Sequence, residues 1–406
     1  MKKISFIHAA DLHLDSPMVG LKHLPANIFT RVKESTFTAL KKLTRAAIER
    51  QVDFVIIAGD IYDGEDRSLR AQARFRQEME KLNQEKIPVY MIHGNHDHLN
   101  GSWVHLKMPE NVHIFSSKSE TKVLQTKSGA VVHLYGFSYG TRHVFERKID
   151  EYKKLDGADY HIGILHGNES SGKEHDNYAP FSVKDLIEKD FNYWALGHIH
   201  KRAVLSYAPP IIYPGNIQGR NKKETGEKGF YLVSYTDSDP ILEFIEASDI
   251  IWEEVTVNAE TVGSFDALFR LCQSAIHSVR KEHKGTILCL RLKHTQLTDV
   301  REQRSISGEL LELLLEDERD EESFVWTTDL KLEEVVTIDK EKLKTEANFY
   351  GELFETIQQY DQTEQALASL YEHHLGRKYL PHLLEAEKDE IVEKAEKLLI
   401  ELLYQA

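Results

Sequence analysis

The sequence predicts an α/β fold for the N-terminal part of the chain, followed by two smaller parts. Short apolar runs of strand length alternate with segments of helical periodicity from residue 1 to about residue 236. Polar residues of metal-ligand type follow several of these runs directly. With 406 residues, of which 41% are hydrophobic, the chain is long and apolar enough for two or three domains.

Eight segments of the N-terminal part are predicted as strands and three as helices. The strands are residues 4–9, 53–57, 89–93, 131–137, 161–165, 193–196, 211–213 and 229–235. The helices cover about 35–50, 67–86 and 182–189, with Ser35 and Ser182 as N-cap residues. A G-x-G-x-x-G sequence does not follow the first strand and no Walker A sequence is present, which argues against a nucleotide-binding doubly wound sheet.

The remaining sequence shows a change of pattern near residue 250 and again near residue 341. Strands near 251–257, 286–292 and 324–336 alternate with helices near 264–282 and 300–319. Apolar residues between 380 and 402 then repeat at helical spacing, with Gly376 and Pro381 marking a break between two helices. We therefore expect three domains, which are residues 1–245, a small α+β domain at 250–340 and a helical C-terminal segment at 341–406.

The net charge of −15 is unevenly distributed along the chain. Residues 1–220 contain 30 Lys and Arg against 26 Asp and Glu, a net charge of +4, whereas residues 309–322 and 341–406 carry −7 each. The acidity of the whole chain argues against a simple basic nucleic-acid-binding protein. It does not exclude a nucleic-acid substrate for residues 1–220.

Cysteine content and apolar runs indicate the compartment. The two cysteines, Cys272 and Cys289, cannot form a disulfide framework, and zinc-finger spacing is absent. The apolar run after Lys3 is too short for a signal peptide, and no run approaches the roughly 18 residues of a membrane span. We therefore expect a cytoplasmic protein that does not associate with membranes.

Polar residues of metal-ligand type follow five of the predicted strands. They are Asp11-Leu12-His13, Gly59-Asp60, Gly94-Asn95-His96-Asp97, His166-Gly167 and Gly197-His198-Ile199-His200. Because ligands bind at the carboxyl ends of strands in open α/β sheets, we expect these clusters to converge. Carboxylate, imidazole and amide donors without thiolates suit Mn²⁺, Fe²⁺ or Zn²⁺. The set exceeds the needs of one ion, and two ions that share a carboxylate suit in-line attack on a phosphoester.

These motifs, in this order, resemble the calcineurin-like metallophosphoesterase superfamily over about residues 4–216. The three-part layout is similar to the SbcD-like DNA repair exonuclease family, and residues 11–17 resemble its YhaO-type bacterial branch. The resemblance implies a four-layer metallophosphoesterase sandwich of two mixed β-sheets flanked by helices. It also implies a small α+β capping domain and a helical C-terminal segment that engages an SMC-like ATPase.

The resemblance implies a role for each motif residue. One metal ion would be held by Asp11, His13, Asp60 and His200, and the other by Asp60, Asn95, His166 and His198. Manganese is the expected metal, with iron or zinc as alternatives. His96 would stabilise the transition state or protonate the leaving oxygen, and Asp97 would orient its imidazole.

Two basic segments are candidates for contact with substrate phosphates. Arg67, Arg70 and Arg74 recur on one face of a predicted helix, for which the alternative is a solvated helix face. Arg220 and Lys222 follow the last metal motif, for which the alternative is an ordinary basic turn. The apolar stripes of the C-terminal helices leave open docking on a partner, self-association and coverage of the core.

The sequence therefore predicts a manganese-dependent phosphodiesterase that acts on DNA, as an exonuclease subunit in DNA repair. The expected partners are DNA, an SMC-like ATPase and a second copy of the chain. One alternative is a phosphoesterase for nucleotides, cyclic nucleotides or phosphoproteins. The other is a non-catalytic adaptor of an SMC-like ATPase.

Overall fold

The described part of the chain forms two six-stranded sheets and one three-stranded sheet with their helices. The computed structural model describes residues 2–18, 21, 24–63, 68–101, 104, 106–170, 178–236, 239–294, 300–316, 318, 322–333, 348–360, 362–372, 388, 391–396 and 398–399. The chain divides into two compact units. The first comprises Met1–Thr256, Phe269–Arg291 and Leu310–Leu330, and the second comprises Val257–Leu268, Leu292–Glu309 and Lys331–Ala406.

The first sheet contains six strands in the order β12-β11-β1-β2-β3-β4. The strands are β1 (Ile4–Ala9), β2 (Phe54–Ala58), β3 (Val89–Ile92), β4 (Val112–Ile114), β11 (Gly229–Tyr235) and β12 (Ile241–Glu246). Strands β1 to β4 run parallel, and β11 and β12 join as antiparallel strands. The helices α1 (Ala26–Glu49) and α2 (Leu69–Gln84) provide the crossovers between β1, β2 and β3.

The second sheet also contains six strands, in the order β5-β6-β7-β8-β10-β9. The strands are β5 (Glu120–Gln125), β6 (Val131–Gly136), β7 (Tyr160–His166), β8 (Tyr193–Gly197), β9 (Ala203–Tyr207) and β10 (Pro210–Tyr213). Its four central strands are parallel and both edge strands are antiparallel. The prediction of two mixed sheets is confirmed.

Three apolar clusters hold these layers together. Helices α1 and α2 cover the outer face of the first sheet, for example through Phe37 and Phe75. The inner faces of the two sheets meet around Phe6 and Tyr193. The outer face of the second sheet packs around Trp194, with the short helix α3 (Val183–Glu188) above it. The order helix, sheet, sheet, helix is the four-layer sandwich that the sequence predicts.

The helix boundaries confirm one predicted N-cap and contradict the other. Ser182 caps α3, and its hydroxyl accepts a hydrogen bond from the Asp185 N–H at 3.2 Å. Ser35 is not an N-cap, because α1 begins at Ala26 and buries Ser35 in its interior. The Ser35 hydroxyl donates instead to the Val32 carbonyl at 2.6 Å, which satisfies it within the helix.

The C-terminal residues add a third sheet and further helices. Its strand order is β13-β14-β15, made from β13 (Ile250–Asn258), β14 (Gly285–Lys293) and β15 (Val325–Glu333). The helices are α4 (Phe265–Ser278), α5 (Val300–Glu316), α6 (Asn348–Gln358) and α7 (Thr363–Glu372). Gly376, Pro381 and residues 380–384 of the predicted C-terminal helices lie outside the described residues. Within the described residues, no helix is both long and apolar enough to cross a membrane.

We expect Trp194→Ala to lower the free energy of unfolding by about 3–5 kcal/mol, because the indole is fully buried and stacks on Phe191. Urea denaturation followed by circular dichroism measures this change. The control is Tyr207→Ala, at a side chain that is 74% exposed, which should change the free energy by less than about 0.5 kcal/mol. Similar losses in both variants would contradict the position of the core.

Candidate metal centre

The predicted ligands come together where the strands of both large sheets end. Asp11 and His13 follow β1, Asp60 follows β2, His166 ends β7, and His200 follows β8. Three groups of potential ligand atoms occur among the described residues, and within each group the atoms lie within 4.8 Å of one another. The groups are Asp11 with His13 and His200, Asp11 with Asp60 and His166, and His13 with Asp63 and His96. The convergence that the sequence predicts is therefore present in the fold.

The carboxylate of Asp60 lies between the imidazoles of His13 and His166. Its Oδ2 atom is 3.7 Å from His13 Nε2 and 3.4 Å from His166 Nε2, and its Oδ1 accepts a hydrogen bond from the His96 N–H at 3.0 Å. Burial opposes ionisation of Asp60, but the neighbouring imidazoles, led by His166, hold its pKa well below the usual range. Asp60 is thus an ionised, buried carboxylate that two donor groups share.

Asn95 and His198 complete the set on the side of His166. The Asn95 Oδ1 atom is 3.1 Å from His166 Nε2. The His198 ring lies 5.2 Å from the His166 ring, and its backbone N–H donates to both carboxylate oxygens of Asp11 at 3.1 Å. Burial lowers the pKa of His198 to about 3, so its imidazole is neutral and keeps a lone pair for a metal ion.

Four of these candidate ligands have backbone conformations that residues with a Cβ atom rarely adopt. The φ angles are 52° at Asp11, 42° at His13, 51° at Asp60 and 99° at His198. The loops that carry them are hydrogen-bonded to each other, since Asp11 N–H donates to Gly59 O at 3.1 Å and His13 N–H to Asp60 O at 3.0 Å. Such strain is typical of functional sites that the surrounding structure holds in place.

Glycines make room for the ligands at the points of closest approach. A Cβ atom on Gly94 would overlap the Asp60 carboxylate and lie 2.7 Å from His166 Nε2. A Cβ atom on Gly197 would overlap the Ala58 carbonyl oxygen. These positions therefore require glycine for space.

The orientation of the imidazole rings fits bound cations. His166 Nδ1 donates to Ala58 O at 3.0 Å, and His200 Nδ1 donates to Glu224 Oε1 at 2.8 Å, so each ring directs its Nε2 toward the centre. His13 Nδ1 faces Asp63 at 3.5 Å, and His13 Nε2 lies only 3.1 Å from His200 Nε2. At this separation the two nitrogens either share a proton in an N–H···N hydrogen bond or both donate to one cation. The donor set therefore fits divalent metal ions.

Sequence reasoning missed two carboxylates behind these imidazoles, Glu224 and Asp63. Burial raises the pKa of both groups, but His200 and Arg220 at Glu224, and His13 and Arg220 at Asp63, lower it far below the usual range. In the sequence, each of them is a single acid near a metal motif or a basic segment, which is a weak signal.

The guanidinium of Arg220 joins these two carboxylates. It lies 3.4 Å from Asp63 Oδ1 and 3.2 Å from Glu224 Oε1, and its side chain is largely buried. Lys222, in contrast, is exposed. Arg220 thus lies beside the candidate ligands with its charge balanced by protein carboxylates, and its predicted contact with substrate phosphates stays a prediction.

The predicted basic stripe lies on α2 and faces α1. Arg70 pairs with Glu34 and with Asp15, and Arg74 pairs with the same Glu34 carboxylate. Both guanidinium groups also lie over the Phe37 ring. These contacts favour an ion-paired helix face over a phosphate-binding surface. Arg67 lies outside the described residues.

His96 and Asp97 follow β3, but their contacts differ from the expected pair. The sequence predicts that Asp97 orients the His96 imidazole. The Asp97 carboxylate accepts hydrogen bonds from the N–H groups of Ile61 and Gly94, and it contacts His93 Nδ1 at 2.9 Å. The carboxylate beside the His96 ring is that of Asp63, 3.6 Å from its Nδ1. These contacts show that Asp97 holds the backbone of its loop and that Asp63 lies beside His96, while the orientation of His96 by Asp97 stays a prediction.

Comparison with known proteins gives matches over most of the chain. The family model described as calcineurin-like phosphoesterase matches residues 4–202. The metallophosphoesterase YhaO of Bacillus subtilis is 42% identical over 401 residues, which cover 98% of this chain and 97% of that protein. The DNA double-strand break repair protein Mre11 of Methanocaldococcus jannaschii is 27% identical over 64% of this chain and 71% of its own.

Two further similarities complete the comparison. The protein of the same name from Archaeoglobus fulgidus is 22% identical over 97% of this chain and 90% of its own. Among solved structures, a dimetal phosphatase from Danio rerio matches 60% of this chain and 98% of its own, with 11% identity and a TM-score of 0.37.

We expect Gly94→Ala to weaken Mn²⁺ binding at least about tenfold, because the added methyl group displaces the Asp60 carboxylate or the His166 ring. Isothermal titration calorimetry measures the affinity, and thermal melting confirms that the variant folds. The control is Gly263→Ala, where a Cβ atom would meet nothing within 4 Å. An unchanged affinity in Gly94→Ala would refute this position for the ligands.

We expect Glu224→Gln to weaken Mn²⁺ binding about 10- to 100-fold, because it removes the charge that orients His200 while keeping the size of the side chain. The control Glu188→Gln changes an exposed carboxylate on α3. The two variants should differ in affinity measured by calorimetry and in the electron paramagnetic resonance titration of free Mn²⁺. Equal affinities would show that Glu224 does not support the centre.

Proposed function

Because the chain belongs to the calcineurin-like phosphoesterase family, we propose that it is a manganese-dependent phosphodiesterase that acts on DNA, as the exonuclease subunit of a DNA repair complex. Family membership makes the protein a metal-dependent hydrolase. The proposal is that the substrate is a phosphodiester, that this phosphodiester belongs to DNA, and that the metal is manganese. The site and the relatives support it.

One observation carries the proposal, the position of the Asp60 carboxylate between His13 and His166. Asp11, His13 and His200 would hold one cation on one side of Asp60, and Asn95, His166 and His198 would hold the second. Two divalent cations in such a site stabilise the charge on a phosphoryl group and lower the pKa of water. Imidazole and oxygen donors without thiolates suit Mn²⁺.

His96 is the proton donor in this proposal. Its side chain is 35% exposed, which leaves one face of the ring open to a substrate. Asp63 lies 3.6 Å from Nδ1, so Nε2 is the nitrogen that would protonate the leaving oxygen. The T-shaped contact with the His13 ring, at 5.1 Å, places His96 next to the metal ligands.

The DNA substrate and the partners are supported by the relatives. Several of them carry the name DNA double-strand break repair protein, and one such match covers 97% of this chain. Residues 1–220 carry a net charge of +4, which permits contact with a polyanion. We assign catalysis to residues 1–245, a capping role to 250–340, and binding of an SMC-like ATPase or of a second copy to 341–406.

We expect Asp60→Ala to abolish both Mn²⁺ binding and the release of nucleotides from linear DNA. His96→Ala should retain Mn²⁺ binding and lose about 10²- to 10⁴-fold in cleavage rate, because it removes a proton donor and not a ligand. Calorimetry and a nuclease assay with Mn²⁺ give the two readouts. The control His283→Ala changes an exposed histidine remote in sequence from the motifs.

Wild-type cleavage by either site variant would refute the assignment of that residue. Hydrolysis of bis(p-nitrophenyl) phosphate or cyclic nucleotides without cleavage of DNA would favour a small-molecule phosphoesterase. Release of phosphate from phosphoproteins would favour a phosphatase. A wild-type protein that binds no Mn²⁺ at micromolar concentrations would favour a non-catalytic adaptor.

A further inference from the structure

A cluster of three aromatic rings connects the metal centre with the protein surface. The Tyr178 ring lies 5.0 Å from the ring of His198, the His143 ring stacks on Tyr178 at 5.7 Å, and the Phe145 ring stacks on His143 at 5.6 Å and on Tyr178 at 6.5 Å. The last two rings are nearly parallel, with an interplanar angle of 10°. We call Tyr178, His143 and Phe145 the ring stack. Of the two histidines, His198 is a candidate metal ligand, whereas His143 is not.

The ring stack is anchored at its inner end and open at its outer end. Tyr178 is buried, and its hydroxyl lies 3.2 Å from His143 Nδ1. The backbone of the stack is tied by the hydrogen bond from Ala179 N–H to Val144 O at 2.6 Å. The outermost ring, Phe145, is 60% exposed. The contacts of Tyr178 and His143 therefore hold the Phe145 ring in an exposed position near the metal centre.

We propose that the ring stack is a platform on which unpaired nucleobases at a DNA end stack while the adjoining phosphate occupies the metal centre. This inference rests on the proposed function. Bases stack on aromatic side chains with little dependence on sequence, which suits an exonuclease that must accept every nucleotide in turn. The stack is continuous with the metal centre through Tyr178 and His198, so a bound base and a bound phosphate can belong to one strand.

The size and surroundings of the exposed ring favour a base over a protein partner. Phe145 lies in one loop with the exposed, charged residues Arg142, Glu146 and Arg147, so this loop exposes one large apolar side chain among charged ones. Specific protein interfaces bury roughly 1,200–2,000 Å², which a single ring does not provide. Arg142 and, beyond His200, Lys201 are exposed cations on the flanks of the centre that suit a polyanionic strand.

We expect Phe145→Ala to weaken binding of a duplex with a single-stranded overhang about 5- to 150-fold, the range for loss of one stacked base. Phe145→Trp should retain the affinity, because it keeps an aromatic face. The control Tyr207→Ala removes a ring that is 74% exposed elsewhere and should bind like the wild type. Fluorescence anisotropy with labelled DNA in Ca²⁺ measures binding, and thermal melting checks folding.

A direct readout accompanies the affinities. In Phe145→Trp, the fluorescence of the introduced indole should be quenched by overhang DNA, beyond any change seen in the wild type. Wild-type affinity in Phe145→Ala, or no added quenching in Phe145→Trp, would overturn the platform while leaving the proposed nuclease intact. If the wild type hydrolyses bis(p-nitrophenyl) phosphate but neither binds nor cleaves DNA, the proposed function fails, and the platform fails with it.

Discussion

The buried carboxylate of Asp60 is the constraint on which the rest of the centre depends. A carboxylate removed from water is costly unless charges or hydrogen-bond donors surround it. The His13 and His166 imidazoles and the His96 N–H supply this compensation. To bring them close, the chain accepts left-handed conformations at three strand ends and glycine at the closest contacts. The local strain is thus a consequence of holding one ionised group among several imidazoles.

The distances at this centre depend on how the two large sheets pack, because each sheet contributes ligands. A polar tie crosses the interface close to the ligands. His8 on β1 lies 2.9 Å from the Tyr193 hydroxyl and 3.1 Å from the Leu196 carbonyl, both on β8. Burial lowers the pKa of His8 to about 3, so this imidazole is neutral and its hydrogen bonds cost no buried charge. It fixes β1, which leads to Asp11, against β8, which leads to His198.

The sequence predicts the strands that lead to the centre better than the rest of the fold. Buried strands are nearly continuous apolar runs, so β1 and β11 are predicted to the residue. The edge strands β4, β5, β9 and β12 are absent from the prediction, because they are partly exposed and their polar residues hide the pattern. Helix α1 starts nine residues before the predicted Ser35, since its first turns carry no capping side chain that marks the start.

The same limit explains what the sequence reveals about the site. The candidate ligands are recognisable in the sequence because they directly follow apolar strands. Glu224 and Asp63 contact imidazoles that lie far from them in sequence, and only the fold brings these groups together. The charge of Arg220 makes it a candidate for binding phosphate, but the charge alone does not show whether its partner is a phosphate or a carboxylate. The fold pairs it with Asp63 and Glu224.

This pairing changes how the protein attracts an anionic substrate. The Arg220 guanidinium offsets the two carboxylates that orient His13 and His200, so little of its charge remains for a phosphate. Arg70 and Arg74 are likewise balanced by Glu34 and Asp15. In the proposed function, the attraction for a phosphoester must therefore come from the divalent cations and from surface cations such as Lys201. A site of this kind recognises phosphate only when its metal ions are bound, which couples substrate recognition to the metal centre.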